Sequence, residues 1–281
     1  MRRSNSAIAG ILSSVSLIGC LTVSTPSQAG ETIRIGGTGS GLAAMRMLGA
    51  EFQKRNPGTE LEVLASLGTL GGIEALGEGA IDVGLAARGL KPDESARGVR
   101  EAACMTTALV FAANHDDQGV VIRSAELPAL FRNPRPTWPD GTPLKVILRA
   151  RTGSEYPYLI KVLPAMGAAL DEAHQRRGIP MGATDQENAD LALRTAGSLA
   201  MTTLLQIQTE KLGLRMLPLD GVEPSTETVA DGSYPFPFRI CLLLPAQPSA
   251  IGQRFVSFFE SREGRDMLHR LGAVEEKKVN P

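Results

Sequence analysis

Two glycine-rich turns, each set between a short strand pattern and a helical one, limit what this chain can fold into. Residues 33–36 read as a strand that runs into Gly36-Gly37-Thr38-Gly39-Ser40-Gly41; Leu42, Met45, Leu48 and Phe52 then recur at helical spacing until Asn56-Pro57-Gly58. Residues 61–65 form a second strand pattern, followed by Gly68-Thr69-Leu70-Gly71-Gly72, a short helix over 73–76 and a third strand over 81–85. A βαβαβ order of this kind implies a parallel sheet covered by helices. Both turns then leave the carboxyl edge of that sheet, where open α/β sheets bind ligands. Glycine lets backbone approach a ligand closely, and the free N–H groups and dipole of a helix start favour an anion. Thr38, Gly39, Ser40, Thr69, Leu70 and Gly71 are therefore candidate binding residues. Arg88, in the turn Ala87-Arg88-Gly89-Leu90 after the third strand, belongs to the same edge. The competing interpretation is structural: plain strand-to-helix connections, Ser40 as a helix cap, and Arg88 as a solvated side chain.

The rest of the chain predicts a second α/β lobe. An apolar run over 107–113 precedes a polar turn at 114–118. A helix around 125–131, a strand over 144–148, helical stretches over 158–174 and 187–195, and a strand over 214–217 follow. A dense apolar strand at 240–244 and helices over 249–259 and 263–271 close the chain. Two long strands, before and after the middle, imply a chain that crosses to the second lobe and returns, which makes a hinge. The first lobe is then residues 30–112 and 242–281, the second 113–241. Arg149-Ala150-Arg151-Thr152-Gly153-Ser154 follows the 144–148 strand, so Arg149, Arg151 and Ser154 could supply charge-assisted bonds from the opposing wall. Only one arginine need face the cleft. Thr184-Asp185 reads as a helix cap, and Thr202-Thr203 as either pocket hydroxyls or strand ends. The expected cleft is thus lined by amides, hydroxyls and guanidinium groups, without carboxylates.

Composition narrows the function. The 281 residues carry 29 Lys+Arg against 30 Asp+Glu, so no long-range field attracts a polyphosphate chain, and nucleic acid is not an expected partner. There is no P-loop, no Gly-x-Ser-x-Gly elbow and no His-Glu-x-x-His pair, and His115, His174 and His269 sit in polar or amphipathic surroundings. An enzyme is not expected, and neither metal nor cofactor is called for. The exception is Gly39-Ser40-Gly41-Leu42-Ala43-Ala44 with Glu62 further on, a dinucleotide fingerprint that leaves an oxidoreductase as the alternative. Arg2 and Arg3, the apolar stretch 7–23 and Pro26-Ser27-Gln28-Ala29 read as a secretory signal over 1–29, giving a periplasmic protein. Leu17-Ile18-Gly19-Cys20 also fits a lipobox, which would anchor the chain to a membrane through Cys20. Cys104 and Cys241 read as two separate buried thiols, although an oxidising compartment would permit a bridge.

Taken together, the residues resemble the phosphate-binding proteins of Pst-type ABC importers, within the type II periplasmic binding protein superfamily. The resemblance rests on residues 36–41, on Gly68-Thr69-Leu70-Gly71-Gly72-Ile73, and on the stretch from Ile81-Asp82-Val83-Gly84 to Leu90. It continues through Asp220-Gly221-Val222-Glu223-Pro224-Ser225, Ala230-Asp231-Gly232-Ser233-Tyr234-Pro235 and Phe258-Phe259-Glu260-Ser261-Arg262-Glu263-Gly264, so nearly all of the chain after the signal is covered. It implies a two-lobed α/β fold, each lobe a mainly parallel sheet with flanking helices, joined by two hinge strands. It also implies a small oxyanion ligand, phosphate first, with ABC permease subunits as partners. Contacts would come from Thr38 or Ser40, from Thr69, and from the 149–154 segment. Two departures stand out. Ala87-Arg88 occupies the place of an aspartate that accepts a bond from protonated phosphate. The family's Arg-x-Asp-x-Ser-Gly-Thr string is here Arg149-Ala150-Arg151-Thr152-Gly153-Ser154-Glu155. These open the site to sulfate, molybdate or tungstate.

Overall fold

The apolar spacing of residues 31–86 builds the unit it predicts. The computed structural model describes Met1 and residues 30–116 and 119–276; the stretch expected to be a secretory signal, with Cys20, lies outside the described residues apart from Met1. Strand β1 (Glu31–Gly37) leads into helix α1 (Gly39–Arg55), and β2 (Thr59–Val63) into α2 (Gly68–Gly77). Strand β3 (Val83–Ala86) and the short α3 (Pro92–Ala96) then precede β4 (Arg100–Asn114). β1 pairs in parallel with β2 on one side and β3 on the other. Leu42, Met45, Leu48 and Phe52 are all buried against this sheet, each such burial contributing on the order of 1.5–3 kcal/mol.

After a 3₁₀ turn at Ser124–Glu126, the middle of the chain forms α4 (Leu127–Arg132), β5 (Lys145–Arg149), α5 (Glu155–Val162) and α6 (Met166–Gln175). It continues with β6 (Met181–Gly182), α7 (Asp185–Arg194), β7 (Ser198–Thr203), α8 (Leu204–Glu210), β8 (Arg215–Met216) and α9 (Thr226–Ala230). Strand β9 (Pro237–Leu244), α10 (Ala250–Phe259), α11 (Arg262–Arg270) and β10 (Ala273–Glu275) complete the fold. Phe52 of α1 meets Phe255 of α10 edge-to-face at 5.4 Å, joining the two ends of the chain. The helical pattern at 158–174 is interrupted because Pro164 lies between α5 and α6, lacking an N–H and crowding the preceding turn.

The strands form one curled sheet in the order β2-β1-β3-β9-β4-β7-β5-β6, with β8 and β10 added to β4. Strand β4 pairs with β9 along residues 100–108 and with β7 along 109–114, so one strand runs through both halves. Because β9 returns against β4, the centre of the sheet is antiparallel; parallel pairing is confined to β2-β1-β3 and β7-β5-β6. The glycine segments are not open loops: residues 39–41 and 68–71 form the first turns of α1 and α2. Gly37 adopts a φ of 136°, and a Cβ on Gly72 would lie 2.6 Å from Gly37 Cα, so glycine at both lets α2 pack against the end of β1.

The cysteines do not stay separate. Cys104 and Cys241 are register partners on β4 and β9, and they form a disulfide across the strand pair that connects the two halves. Their separation of 137 residues concealed the pairing; only the antiparallel register makes them neighbours. Reducing the bond, or replacing both residues as Cys104→Ala/Cys241→Ala, is expected to lower the unfolding free energy by about 2–4 kcal/mol. Denaturant titration followed through the single tryptophan, the buried Trp138, with and without reductant measures this. The double variant should ignore the reductant, and coincident curves for the oxidised and reduced wild type would count against a stabilising bond.

Candidate functional site

Four helices begin at one place. Thr38, Leu67, Ser154 and Thr184, the residues that precede α1, α2, α5 and α7, all line a single cleft of about 380 Å³. Two of these starts come from the β1–β3 side of the sheet and two from the β5–β7 side. A helix start leaves up to four N–H groups without an intrahelical acceptor. Thr184 serves its own helix, accepting the Glu187 N–H at 3.1 Å in a capping box, as the Thr-Asp-x-Glu pattern predicts. At the other three starts the preceding side chain makes no such bond. The Thr38 hydroxyl faces Ser40 at 3.3 Å, and the Ser154 hydroxyl bonds Thr69 across the cleft at 3.0 Å. Thr69 in turn accepts the Ala87 N–H at 3.0 Å. The first turns of α1, α2 and α5 thus present amides and positive dipole ends to one space, the arrangement that favours an anion.

Arg149 ends β5 and is 4% exposed within this cleft. Its Nε donates to Glu155 at 3.4 Å and its Nη1 to the Gly182 carbonyl at 3.2 Å, while Nη2 lies 3.6 Å from Asp185. Two of its five N–H donors are thereby engaged, and the planar fork is held in place with donors to spare. His174 Nε2 lies 3.0 Å from the Arg149 carbonyl and steadies the end of the strand from behind. Asp185, the first residue of α7, accepts the Gly39 N–H at the start of α1, and Gln186 donates to the Gly39 carbonyl at 3.2 Å. With the Thr69–Ser154 bond, these contacts tie the two walls together.

Asp185 and Glu155 are both buried and hydrogen-bond each other beside Arg149. Burial, and then the negative charge of Glu155, hold the Asp185 carboxyl well above the ordinary carboxylate range, with Arg149 offsetting only part of the effect. Asp185 therefore keeps its proton to a higher pH than an ordinary aspartate does. Glu74, on α2, lines the same cleft at its exposed side.

Several expectations change. Arg88 does not line the cleft: it forms a forked pair with Glu94 at 2.8 and 2.6 Å. Glu94 is itself buried, also accepts the Lys91 N–H, and is pushed down to about 2 by the Arg88 bond, so the arginine serves as its countercharge. Arg151 points outward to Asp171 and to the Tyr156 hydroxyl, half exposed, because the chain leaves β5 after Arg149 and turns before α5. Ser40 and Gly39 sit beneath the wall, whereas Thr38, Thr69, Leu70, Gly71, Arg149 and Ser154 line it. Thr202 and Thr203 are strand-end residues bonded to α8. The expectation of a carboxylate-free cleft is overturned by Asp185 and Glu74. Asp185 escaped notice because an acid at the first position of a capped helix already has a local explanation. Thr152, also in the lining, belongs to the expected 149–154 segment, whereas Ser66 carried no pattern that distinguished it from a loop residue. The dinucleotide fingerprint is not assembled at the cleft: its glycines are helical, and Glu62 bonds Arg34 across β1 and β2 at 3.1 Å.

The description "PBP superfamily domain" matches residues 22–263 of this chain. "Phosphate-binding protein PstS 2" of Streptococcus pneumoniae is 33% identical over 64 residues, 23% of this chain and 22% of that protein, so the alignment spans less than a quarter of the curated relative. Among solved structures, a protein from Clostridium perfringens described as a phosphate ABC transporter substrate-binding protein with bound phosphate is similar, with a TM-score of 0.74 and 18% identity. That match covers 88% of this chain and all of the other. The periplasmic molybdate-binding protein of Azotobacter vinelandii is similar with a TM-score of 0.58 and 14% identity, covering 87% of this chain and 100% of that one. At such identities the likeness is one of fold. A family match over most of the sequence, on a curled α/β sheet traversed by one long strand, shows that this chain belongs to the PBP superfamily.

Proposed function

We propose that this protein is an exported, non-enzymatic solute-binding protein that holds a small oxyanion, phosphate first, between two lobes and delivers it to an ABC permease. The observation that carries this reading is the convergence of three helix starts without caps of their own on the cleft that contains Arg149. The lobes are residues 30–112 with 242–281 and residues 113–241, hinged through β4 and β9. Thr38 and Thr69 with the α1 and α2 amides form one wall, and Arg149 and Ser154 with the α5 amides form the other. Closing them replaces the water around the anion with fixed, partly charge-assisted donors. The relatives that are described as phosphate or molybdate binders support the class of ligand. The signal over 1–29 supports a periplasmic location; among the described residues no helix is long and apolar enough to cross a membrane. No cofactor is needed.

The buried carboxylates fit this reading through the raised titration of Asp185. With Asp185 protonated, Arg149 and Glu155 balance, and the helix starts leave the cleft electropositive. With both acids ionised, the site resists a second anion. Isothermal titration against phosphate, sulfate and molybdate tests the binding. Arg149→Ala is expected to weaken the preferred anion by about 1.5–3 kcal/mol, and Ser154→Ala, which leaves no charge stranded, by about 0.5–1.5 kcal/mol. A wild-type protein that takes up none of the three would remove the reading.

The raised Asp185 titration has a sign that can be checked in the protein alone. Between the ordinary aspartate value and the raised one, the folded state holds a proton that the unfolded state has released. Stability from this group therefore falls as pH rises through that interval and stays at its lower level above it. Asp185→Asn should remove the fall, making the variant more stable than wild type by roughly 1–3 kcal/mol near pH 8 and about equal near pH 4. Denaturant midpoints across that range give the answer; a gap that widens on acidification would contradict it.

A further inference from the structure

The cleft is larger than a bare oxyanion requires. Its volume of about 380 Å³ falls in the range of roughly 300–1,000 Å³ that accommodates small organic ligands. At roughly 30 Å³ per water it matches about a dozen waters, of which one central atom with four oxygens displaces only a few. The room remains although the walls already touch, Thr69 to Ser154 at 3.0 Å and Gln186 to Gly39 at 3.2 Å.

The surplus space has an apolar side. Leu67 and Leu70 line the cleft and are 41% and 56% exposed, whereas Leu42 and Leu48 of the neighbouring α1 are essentially covered. Leu70 and Leu67 line the same cleft as Thr69, so apolar surface lies within the space that an anion at Thr69 would share. Glu74 lies one turn further along the same helix face and also lines the cleft, so a second negative group is disfavoured at that end.

Resting on the oxyanion reading above, we propose that the ligand is an organic oxyanion, a phosphonate or phosphate monoester, with its head at Arg149, Thr69 and Ser154 and a short non-anionic carbon substituent against Leu67 and Leu70. Bare phosphate fills the polar end and leaves both leucines wet.

Isothermal titration of the whole protein with inorganic phosphate, methyl-, ethyl- and butylphosphonate, ethyl phosphate and phosphonoacetate tests this. Affinity should rise about two- to fourfold per methylene along the phosphonates, with phosphonoacetate weaker than ethylphosphonate. Ethyl phosphate against ethylphosphonate tells an ester from a phosphonate, and tight binding of either supports the proposal. Leu70→Ser should flatten the rise with chain length. Phosphate bound at least as tightly as every organic ligand, or a rise unaltered by Leu70→Ser, would overturn the proposal while leaving the oxyanion reading intact. No binding by any member of the set would remove both.

Discussion

A helix start that does not cap itself must find an acceptor elsewhere, and three such starts share one space in this protein. That unmet demand for a negative partner organises the site. Thr38 and Ser154, residues of the type that ordinarily caps a helix, turn their hydroxyls to Ser40 and Thr69 instead. The amides they leave behind are met in part by the molecule itself: the Asp185 carboxyl takes the Gly39 N–H at the start of α1. A carboxylate from the opposite wall thus stands where an anion would be welcome. Its burial against Glu155 is tolerable because Arg149 and a retained proton offset the charge.

The sheet makes this meeting of walls possible. The starts of α1 and α2 belong to the β2-β1-β3 end, and those of α5 and α7 to the β7-β5-β6 end. Strands β4 and β9 run between the two ends of the sheet, and α1 also packs against α7 and α8 of the other end. The Cys104–Cys241 bond fastens β4 to β9 where the two strands pair. The Thr69–Ser154, Gly39–Asp185 and Gly39–Gln186 contacts across the cleft are polar.

Much of the fold was legible because it follows from periodicity. Leu42, Met45, Leu48 and Phe52 announce α1, and the strand–glycine–helix order announces the sheet edge. That Thr69, Arg149 and Ser154 would lie at one cleft was legible because each directly follows a strand pattern or opens a helical one. The site was illegible where a local role and a distant one look alike. Asp185 reads as a favourable acid at a helix start, and only the approach of α1 across the cleft shows its other partner. Arg88 and Arg151 read as equivalent to Arg149, and only Glu94 and Asp171, brought near by α3 and α6, show that they are already engaged. The disulfide was hidden for the same reason, since a pairing across 137 residues is a property of strand register.

The central claim is that the amides at the starts of α1, α2 and α5 receive an anion. Backbone amide spectra of the isotopically labelled protein during a phosphate titration address it most directly. Large, saturable shifts confined to residues 38–41, 68–71 and 153–156 and to the Arg149 side chain are the predicted result. Small shifts scattered over the surface, with those amides unmoved, would contradict it.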